Sequence, residues 1–523
     1  MRERIERAFE AWGHVVYRRA WVIIALCLAA AGGLITQLPR LELDTSTESF
    51  LKKNDPIRLT YDAFREQFGT DQRVLIAIEP PEVFDLDFLK RLRAFHQDLE
   101  DEVPKLQEVS SLINARDTRG EGDQLIVEDL LEDWPASEEA LARVRERALA
   151  NPLYRDQLLD REARLTTVVL EFDTYSSLDA PDDTLAGFDD SAAPAAEAPR
   201  PFLTGEENSA VVLAIEEVVQ RYEAPDFRIH MAGVPIMMHE FQVWMVRDMS
   251  KFTLLAVATI GLFLAVLFRR VVGVALPLLV AVLSVGTTFG LIAALGYAIM
   301  LPQQILPSFL LAVSVGGTVH LLVIFFQHLA RGNSRRDAIA HALGHSGLAI
   351  VMTSLTTAGG LSSFVAAELA PIAQLGITAP LGVLIALIFT LLLVPALLAV
   401  FPLRADRGET QAGRRTRSAL VAVGDLATRH ALAVALIWVG LLGASALGAA
   451  QLRFSHQPLL WFPEETPFRQ ATELMNDRMR GSMYMEVLVD SGAENGLHEP
   501  ELLNRLDEMR RWAGGVQRGD IYV

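Results

Sequence analysis

Seven stretches of this chain are apolar over about 20 residues each, the length a helix needs to cross a bilayer: 20–38, 252–268, 271–298, 306–327, 346–367, 371–402 and 431–452. A backbone surrounded by lipid must satisfy its own hydrogen bonds, so each stretch is expected to be a helix. Only Arg269 and Arg270 separate the second from the third, which requires a tight turn at a membrane face. Pro277, Gly359, Gly360 and Pro380 fall inside spans, where they are better tolerated than in a helix in water. The first span follows a basic leader and contains Ala29–Gly33, as a cleaved signal would. It is longer than a signal core, however, and is read as a retained anchor.

Arginine placement orients the spans. Arg2, Arg4, Arg7, Arg18 and Arg19 precede the first, and Arg269 and Arg270 follow the second. Arg331, Arg335 and Arg336 lie in the next loop on that side, and Arg404, Arg407, Arg414, Arg415, Arg417 and Arg429 in 403–430. The opposite short loops carry no basic residue. The positive-inside rule then makes the arginine side cytoplasmic and sends 39–250 and 453–523 outside. The expected organisation is a cytoplasmic leader and first helix (1–38), an exterior, periplasmic domain (39–250) and a five-helix bundle (251–402). A basic cytoplasmic linker (403–430), a seventh helix (431–452) and the start of a second exterior domain (453–523) follow. Residues 101–200 carry 24 acidic against 10 basic side chains within a formal net charge of −18, which argues against a nucleic-acid partner. The single cysteine, Cys27, excludes a disulfide framework within the chain.

The chain also repeats itself. FLKKNDPIRLTYDAFREQFGTDQRVLIAIE (50–79) aligns without a gap with WFPEETPFRQATELMNDRMRGSMYMEVLVD (461–490), setting Phe50 on Trp461, Pro56 on Pro467 and Arg58 on Arg469. Val74, Ile76, Ile78 and Glu79 meet Met485, Val487, Val489 and Asp490, and DFLKRLRAF (87–95) matches ELLNRLDEM (501–509). Each copy follows a span by a similar distance, giving a unit of 1+5 spans and a second unit that breaks off at Val523. The expectation is the front portion of a twelve-span protein, with a natural short form as the alternative.

Within the first exterior domain, 73–79, 106–113, 164–173 and 226–233 read as strands, and 84–100, 136–150 and 205–223 as helices. The order βαβ twice is that of a ferredoxin-like α+β sandwich. Residues 178–202, rich in Asp, Ala and Pro, read as a mobile loop.

These features resemble the resistance–nodulation–division superfamily. FLKKNDP with YDAFREQFG is similar to the opening of its first porter domain, and LLWFPEETP to that of its second. VMTSLTTAGGLSSF (351–364) and APIAQLGITAPLGVLIALIFTLLLVPALL (370–398) resemble the fifth and sixth helices of its lipid-exporter branch. That branch includes the large mycobacterial-membrane-protein type and relatives of the sterol-sensing domain. The resemblance implies proton-driven export of hydrophobic or amphiphilic molecules from a bacterial inner membrane. It also implies a fourth helix with a G-x-G-D-S-V-H-type stretch. Here that stretch reads SVGGTVH: His320 matches the histidine, and Gly317 stands where the aspartate is expected.

An ionisable residue at bilayer depth is a functional candidate by default. Val313, Gly316, Gly317, His320, Ile324 and Gln327 share one helical stripe, and Gly316 and Gly317 are expected to let a neighbouring helix approach closely. Two roles are open to His320. One is a proton relay with Thr318, drawing hydrogen-bond partners from Thr353, Ser354, Thr356 and Thr357. The other is a permanently neutral histidine between packed helices. His341 and His345, four apart, with His328 nearby, have metal-pair spacing but no evident third ligand, so no metal is expected. No nucleophile–base set, paired carboxylates or cofactor motif stands out, so neither an enzyme nor a cofactor is expected. The partners expected are the membrane and a lipid or hydrophobic small molecule, with room for a homo-oligomer and a periplasmic protein. A non-pumping lipid sensor or scaffold remains the alternative to an exporter.

Overall fold

The computed structural model describes residues 2–70, 72–121, 124–151, 153–176, 202–401, 421–452, 457–479, 481, 487–493, 496–513, 517–518 and 521–522. The expected mobile loop lies almost wholly outside the described residues, as does most of the basic linker.

The chain opens with α1 (Arg2–Arg18) and α2 (Ala20–Ile35). It continues through α3 (Pro56–Phe68), β1 (Arg73–Glu79), α4 (Leu86–Glu102) and β2 (Leu106–Ser110). A hairpin of β3 (Arg116–Glu121) and β4 (Gln124–Asp129), then α5 (Glu138–Ala150), β5 (Thr166–Phe172), α6 (Gly205–Tyr222) and β6 (Arg228–Gly233) follow. Five long helices come next: α7 (Val234–Phe268), α8 (Val271–Ala294), α9 (Leu306–Ala330), α10 (Arg335–Ser362) and α11 (Ala370–Val400). The last elements are α12 (Ala431–Ala449), α13 (Pro467–Met479), α14 (Pro500–Ala513) and the two-residue strands β7 (Gln517–Arg518) and β8 (Ile521–Tyr522). Seven helices are long and apolar enough to cross a membrane, at the seven stretches expected from sequence. The turn at Arg269 has φ +50°, which reverses the chain within two residues.

The fold divides into two units. The helical unit comprises Met1–Asp44 and Val246–Pro458. Its α8, α9 and α11 bury the largest shares of their apolar windows, whereas α12 buries none of its residues. The leader is not merely a basic tail. Phe9, Gly13, Val16 and Ala20, spaced four, three and four apart, put one apolar stripe of α1 and the start of α2 against the bundle. A Cβ at Gly13 would stand 2.7 Å from Ala340 Cα, so α1 and α10 meet nearly backbone to backbone. This contact explains why α10 starts eleven residues before the expected span: its first turns are amphipathic, capped by Ser334 and covered by α1.

The α+β unit comprises Thr45–Met245 and Leu459–Val523. Its four-stranded sheet runs β2-β5-β1-β6 and every pairing is antiparallel. Val74, Ile76 and Ile78 are fully buried from the central strand, and Leu89, Leu92 and Phe95 of α4 join Val212, Ile215 and Val218 of α6 in the same core. The sheet ends at Gly233, where φ is +115° and a Cβ would stand 2.2 Å from Arg73 O. Only glycine fits there, and α7 begins at the next residue.

Helices α3 and α13 are both 13 residues long, both open on a proline, and are offset by the repeat of the sequence. Arg58 donates to Leu51 O at 3.3 Å and pairs with Asp62, four residues on, at 3.7 Å. At the aligned positions Arg469 donates to Phe462 O at 2.8 Å and pairs with Glu473, four residues on, at 2.8 Å. The expected counterpart of β1 fares differently: 482–486 lie outside the described residues, and 487–490 are not in a strand. A strand needs a ladder, and β1 has β5 and β6 on either side, whereas 487–490 have no described strand beside them.

Candidate functional site

Pro307 in the first turn starts α9, and the helix then runs unbroken past His320, close to its midpoint. One face, with Leu310, Leu321, Leu322 and Phe325, is fully buried. The opposite face carries Ala312, Val313, Gly316, Gly317, His320 and Ile324. These residues line a cavity of about 470 Å³ closed on its other sides by α10 and α11. Five of the six stripe residues therefore line it together, and Gln327 does not. The walls are apolar at Ile350, Ala386 and Leu387 and polar at Ser314, His345, Ser346, Thr353, Ser354, Thr357 and Thr390.

Several expectations about this site need correction. The stripe is not a packed seam: within this chain His320 is exposed on the open side of the cavity. A Cβ at Gly316 would meet nothing within 4 Å, and one at Gly317 would lie 3.4 Å from Thr390 Cγ2 and 3.5 Å from Ile350 Cγ2. Neither glycine is needed for close helix approach. They leave volume in the cavity instead. Thr318 is two residues from His320, about 200° around a helix, and so faces away: it is fully buried and donates to Ser314 O at 3.0 Å. Thr356 lies outside the cavity and bonds to Met352 O at 2.8 Å, and Thr353, although in the wall, donates to Ala349 O at 2.8 Å. Both hydroxyls are engaged by their own helix, as serine and threonine in apolar helices commonly are. Ser354 and Thr357 do face the cavity. His320 has no hydrogen-bond partner among the described residues.

Three polar wall residues escaped the sequence reading: Ser314, Ser346, whose hydroxyl donates to Ala342 O at 2.6 Å, and Thr390. Ser314 is 1% exposed, and its Oγ has no partner among the described residues. It lies about 120° around the helix from His320, at the edge of the stripe toward Thr318, so the stripe alone does not reach it. Thr390 comes from α11, whose uniformly apolar sequence gives no rotational phase.

Three histidines continue from the cavity toward the α9–α10 turn. The ring of His328 stacks on that of His341 with centroids 4.2 Å apart, and His341 lies 6.0 Å from His345, which lines the cavity. Parallel rings direct their nitrogens past one another rather than at a common point. No cluster of three metal-ligating side chains occurs among the described residues.

Two further cavities mark the units. One of about 660 Å³ lies between α7, at Phe252, Leu255 and Ile260, and the short turn leading into α9, at Leu301 and Ile305. The other, about 700 Å³, is a polar cleft of the α+β unit lined by Arg73, Glu108, Arg116, Asp129, Tyr154 and Glu171. Arg73 and Glu171 pair across β1 and β5 at 2.8 Å. Burial, with Asp117 adding to it, pushes the Tyr154 hydroxyl up to about 12.

Seven helices long and apolar enough to cross a membrane, three of which line a cavity with apolar and polar walls, define a multi-pass membrane protein. Residues 150–438 match the MMPL family, and the chain belongs to that family. It is 29% identical to "Membrane protein YdfJ" of Bacillus subtilis over 147 residues, 26% of this chain and 19% of that protein. It is 26% identical to the "Apo-petrobactin exporter" of Bacillus anthracis over 265 residues, 45% and 36% of the two chains. It is 28% identical to the "Mycolic acid-containing lipids exporter MmpL11" of Mycolicibacterium smegmatis over 141 residues, 26% and 15%. The matched stretches thus span well under two thirds of these relatives' lengths.

Proposed function

We propose that the protein exports hydrophobic or amphiphilic, lipid-like molecules from a bacterial plasma membrane, driven by the proton gradient. In this reading its N-terminus is cytoplasmic and the acidic α+β unit lies outside. The observation that carries the reading is the cavity around His320: an ionisable side chain near mid-span, with polar walls, in a bundle of the MMPL family. Histidine is the one side chain whose unperturbed charge change falls near neutral pH, which suits a group loaded on one side of a membrane and emptied on the other. Gly317 leaves the cavity without the aspartate that the family resemblance implies, and in this reading the proton-bearing role falls to His320.

Other features support the same reading. The crevice between α7 and the short turn leading into α9 is lined mainly by apolar side chains, as a groove admitting an acyl chain would be. The antiparallel order β2-β5-β1-β6 supports a ferredoxin-like porter domain, and the matched braces at Arg58 and Arg469 support a repeated unit. The exporter names of two relatives favour transport over lipid sensing, and nothing in the site favours catalysis.

The test is lipid efflux from cells expressing His320→Ala beside the unaltered protein. Transport should fall on the order of 10²-fold, the usual effect of removing a positioned proton carrier, and an uncoupler should reproduce the loss. Unchanged efflux at equal protein levels removes His320 from the mechanism.

A further inference from the structure

The helices around the cavity contain few groups able to hold a proton. Neither α8 nor α11 has an ionisable side chain, and α9 has only His320 and His328. His320 opens on the cavity, so a proton bound there needs a route to the α9–α10 end of the bundle, where Arg331, Arg335 and Arg336 cluster. The remaining apolar length of α9 supplies none. The side chains that do bridge this distance are His345, in the cavity wall, His341 one turn below it on α10, and His328, stacked on His341 from α9. The Nδ1 of His328 is buried without a hydrogen-bond partner among the described residues, which leaves a free site for a proton at the foot of the row.

We infer that His328, His341 and His345 form a proton path joining the α9–α10 end of the bundle to the cavity of His320. The inference rests on the reading of His320 as the proton-bearing group. Each transfer moves only a proton. A neutral imidazole accepts one on its free nitrogen, becomes imidazolium, and releases the proton of its other nitrogen to the next acceptor. Because parallel rings do not share an in-plane hydrogen bond, each step needs a ring rotation or one bridging water at the ring edges.

The charged groups around the row are few. Arg331 and Asp337 act on His328, and Arg270 lies over the Phe326 ring at 5.1 Å. From α1, Glu10 packs against Gly344, between His341 and His345 in sequence, and His14 accepts from Arg336 at 3.1 Å. The foot of the row is therefore mainly basic, and the Glu10 side chain lies against the α10 backbone at Gly344. That basic surrounding disfavours holding a proton at the foot of the row, so a proton arriving from the cavity is released at the α9–α10 end.

The test uses the purified chain in phosphatidylcholine–phosphatidylglycerol liposomes with trapped pyranine, a pH step and a potassium–valinomycin clamp. His341→Phe keeps a stacking ring but carries no exchangeable proton, and His341→Gln guards against a packing artefact. Proton flux should fall on the order of 10²-fold in both variants and in His320→Gln, with thermal unfolding unchanged. Flux kept in both His341 variants but lost in His320→Gln overturns the path and leaves the role of His320 standing. Flux lost in the His341 variants but kept in His320→Gln overturns the link between the row and the cavity. Absence of flux in the unaltered protein overturns the path together with the proton-driven reading.

Discussion

Replacing Arg65 by methionine tests what the family-like segment YDAFREQFG does. Arg65 is 6% exposed and Glu48 is 8% exposed, with Nη1 to Oε1 at 2.7 Å. Arg65 Nη2 also pairs with Asp62 at 2.6 Å, and the guanidinium lies 3.5 Å from the centroid of the Phe202 ring. Methionine keeps much of the stem's packing and removes the charge, leaving the Glu48 carboxylate buried with two neutral donors, Gln72 Nε2 and Thr47 Oγ1, each at 3.3 Å. Breaking a buried pair from one side costs about 3–5 kcal/mol, because the abandoned charge keeps its desolvation penalty. For a unit of this size that loss lowers the unfolding midpoint by on the order of 10 °C. The assay is thermal unfolding in detergent followed by tryptophan fluorescence, with Trp134 and Trp244 reporting on the α+β unit. Adding Glu48→Gln should recover part of the loss, since the second change removes the stranded charge. A shift of about 1 °C or less for Arg65→Met would mean the pair behaves as a solvated surface bridge, worth about 0–1 kcal/mol. Strict additivity in the double variant would refute the coupling itself.

Two further outcomes follow from the geometry. His96 is buried with Nδ1 3.0 Å from Ser111 Oγ, and burial holds its imidazole below the ordinary range against a weaker upward pull from Glu100. The unfolded chain therefore binds more protons just below the ordinary histidine value. The His96 contribution is fully present above about pH 6.5 and is lost as pH falls from there through the lowered folded value, at no more than about 1.4 kcal/mol per pH unit. Unfolding midpoints between pH 7.5 and 5 should show that decline, and His96→Gln should flatten it; an unchanged slope excludes His96 as its source. In the bundle, Gly317→Asp should accumulate normally and keep transport, because its Cβ meets only ordinary contacts and the carboxylate enters the polar cavity. Gly317→Phe should fill the cavity and stop efflux. Loss of the aspartate variant from the membrane would show that the cavity cannot hold a carboxylate.

The sequence reveals those parts of the fold whose physics is local. Each span is apolar over the bilayer's thickness, and RVLIAIE, buried through Val74–Ile78, lies in the β1 found in the structure. The β3–β4 hairpin escaped because RDTRGEGDQLIVED is too polar to display an alternation. The docking of α1 was legible in the spacing of Phe9, Gly13, Val16 and Ala20 but was masked by the arginines between them. At the site, the stripe through Gly316, Gly317 and His320 follows from helical geometry alone. Whether that stripe is covered depends on its neighbours, and no periodicity in α9 encodes them. Thr318 shows the cost of reading adjacency in sequence as adjacency in space, since two residues along a helix reach the opposite face.

The paired arginines make the same local contacts in the two stretches that align in sequence. Few residues are identical between 50–79 and 461–490, yet Arg58 and Arg469 each tie the first turn of a proline-led helix to the carbonyl seven residues before and to a carboxylate four residues after. Such a brace fixes the angle at which the chain enters the helix after an extended segment, a local problem that recurs wherever the same local structure recurs. Arg65 has no such twin: its aligned position is Asn476, which cannot replace a guanidinium between two carboxylates. The two openings thus share their entrance geometry but differ in the buried charge behind it. Behind the first lies the Arg65–Glu48 pair, both partners buried, whereas Arg478 of the second is partly exposed and reaches the buried Asp160 at 3.6 Å.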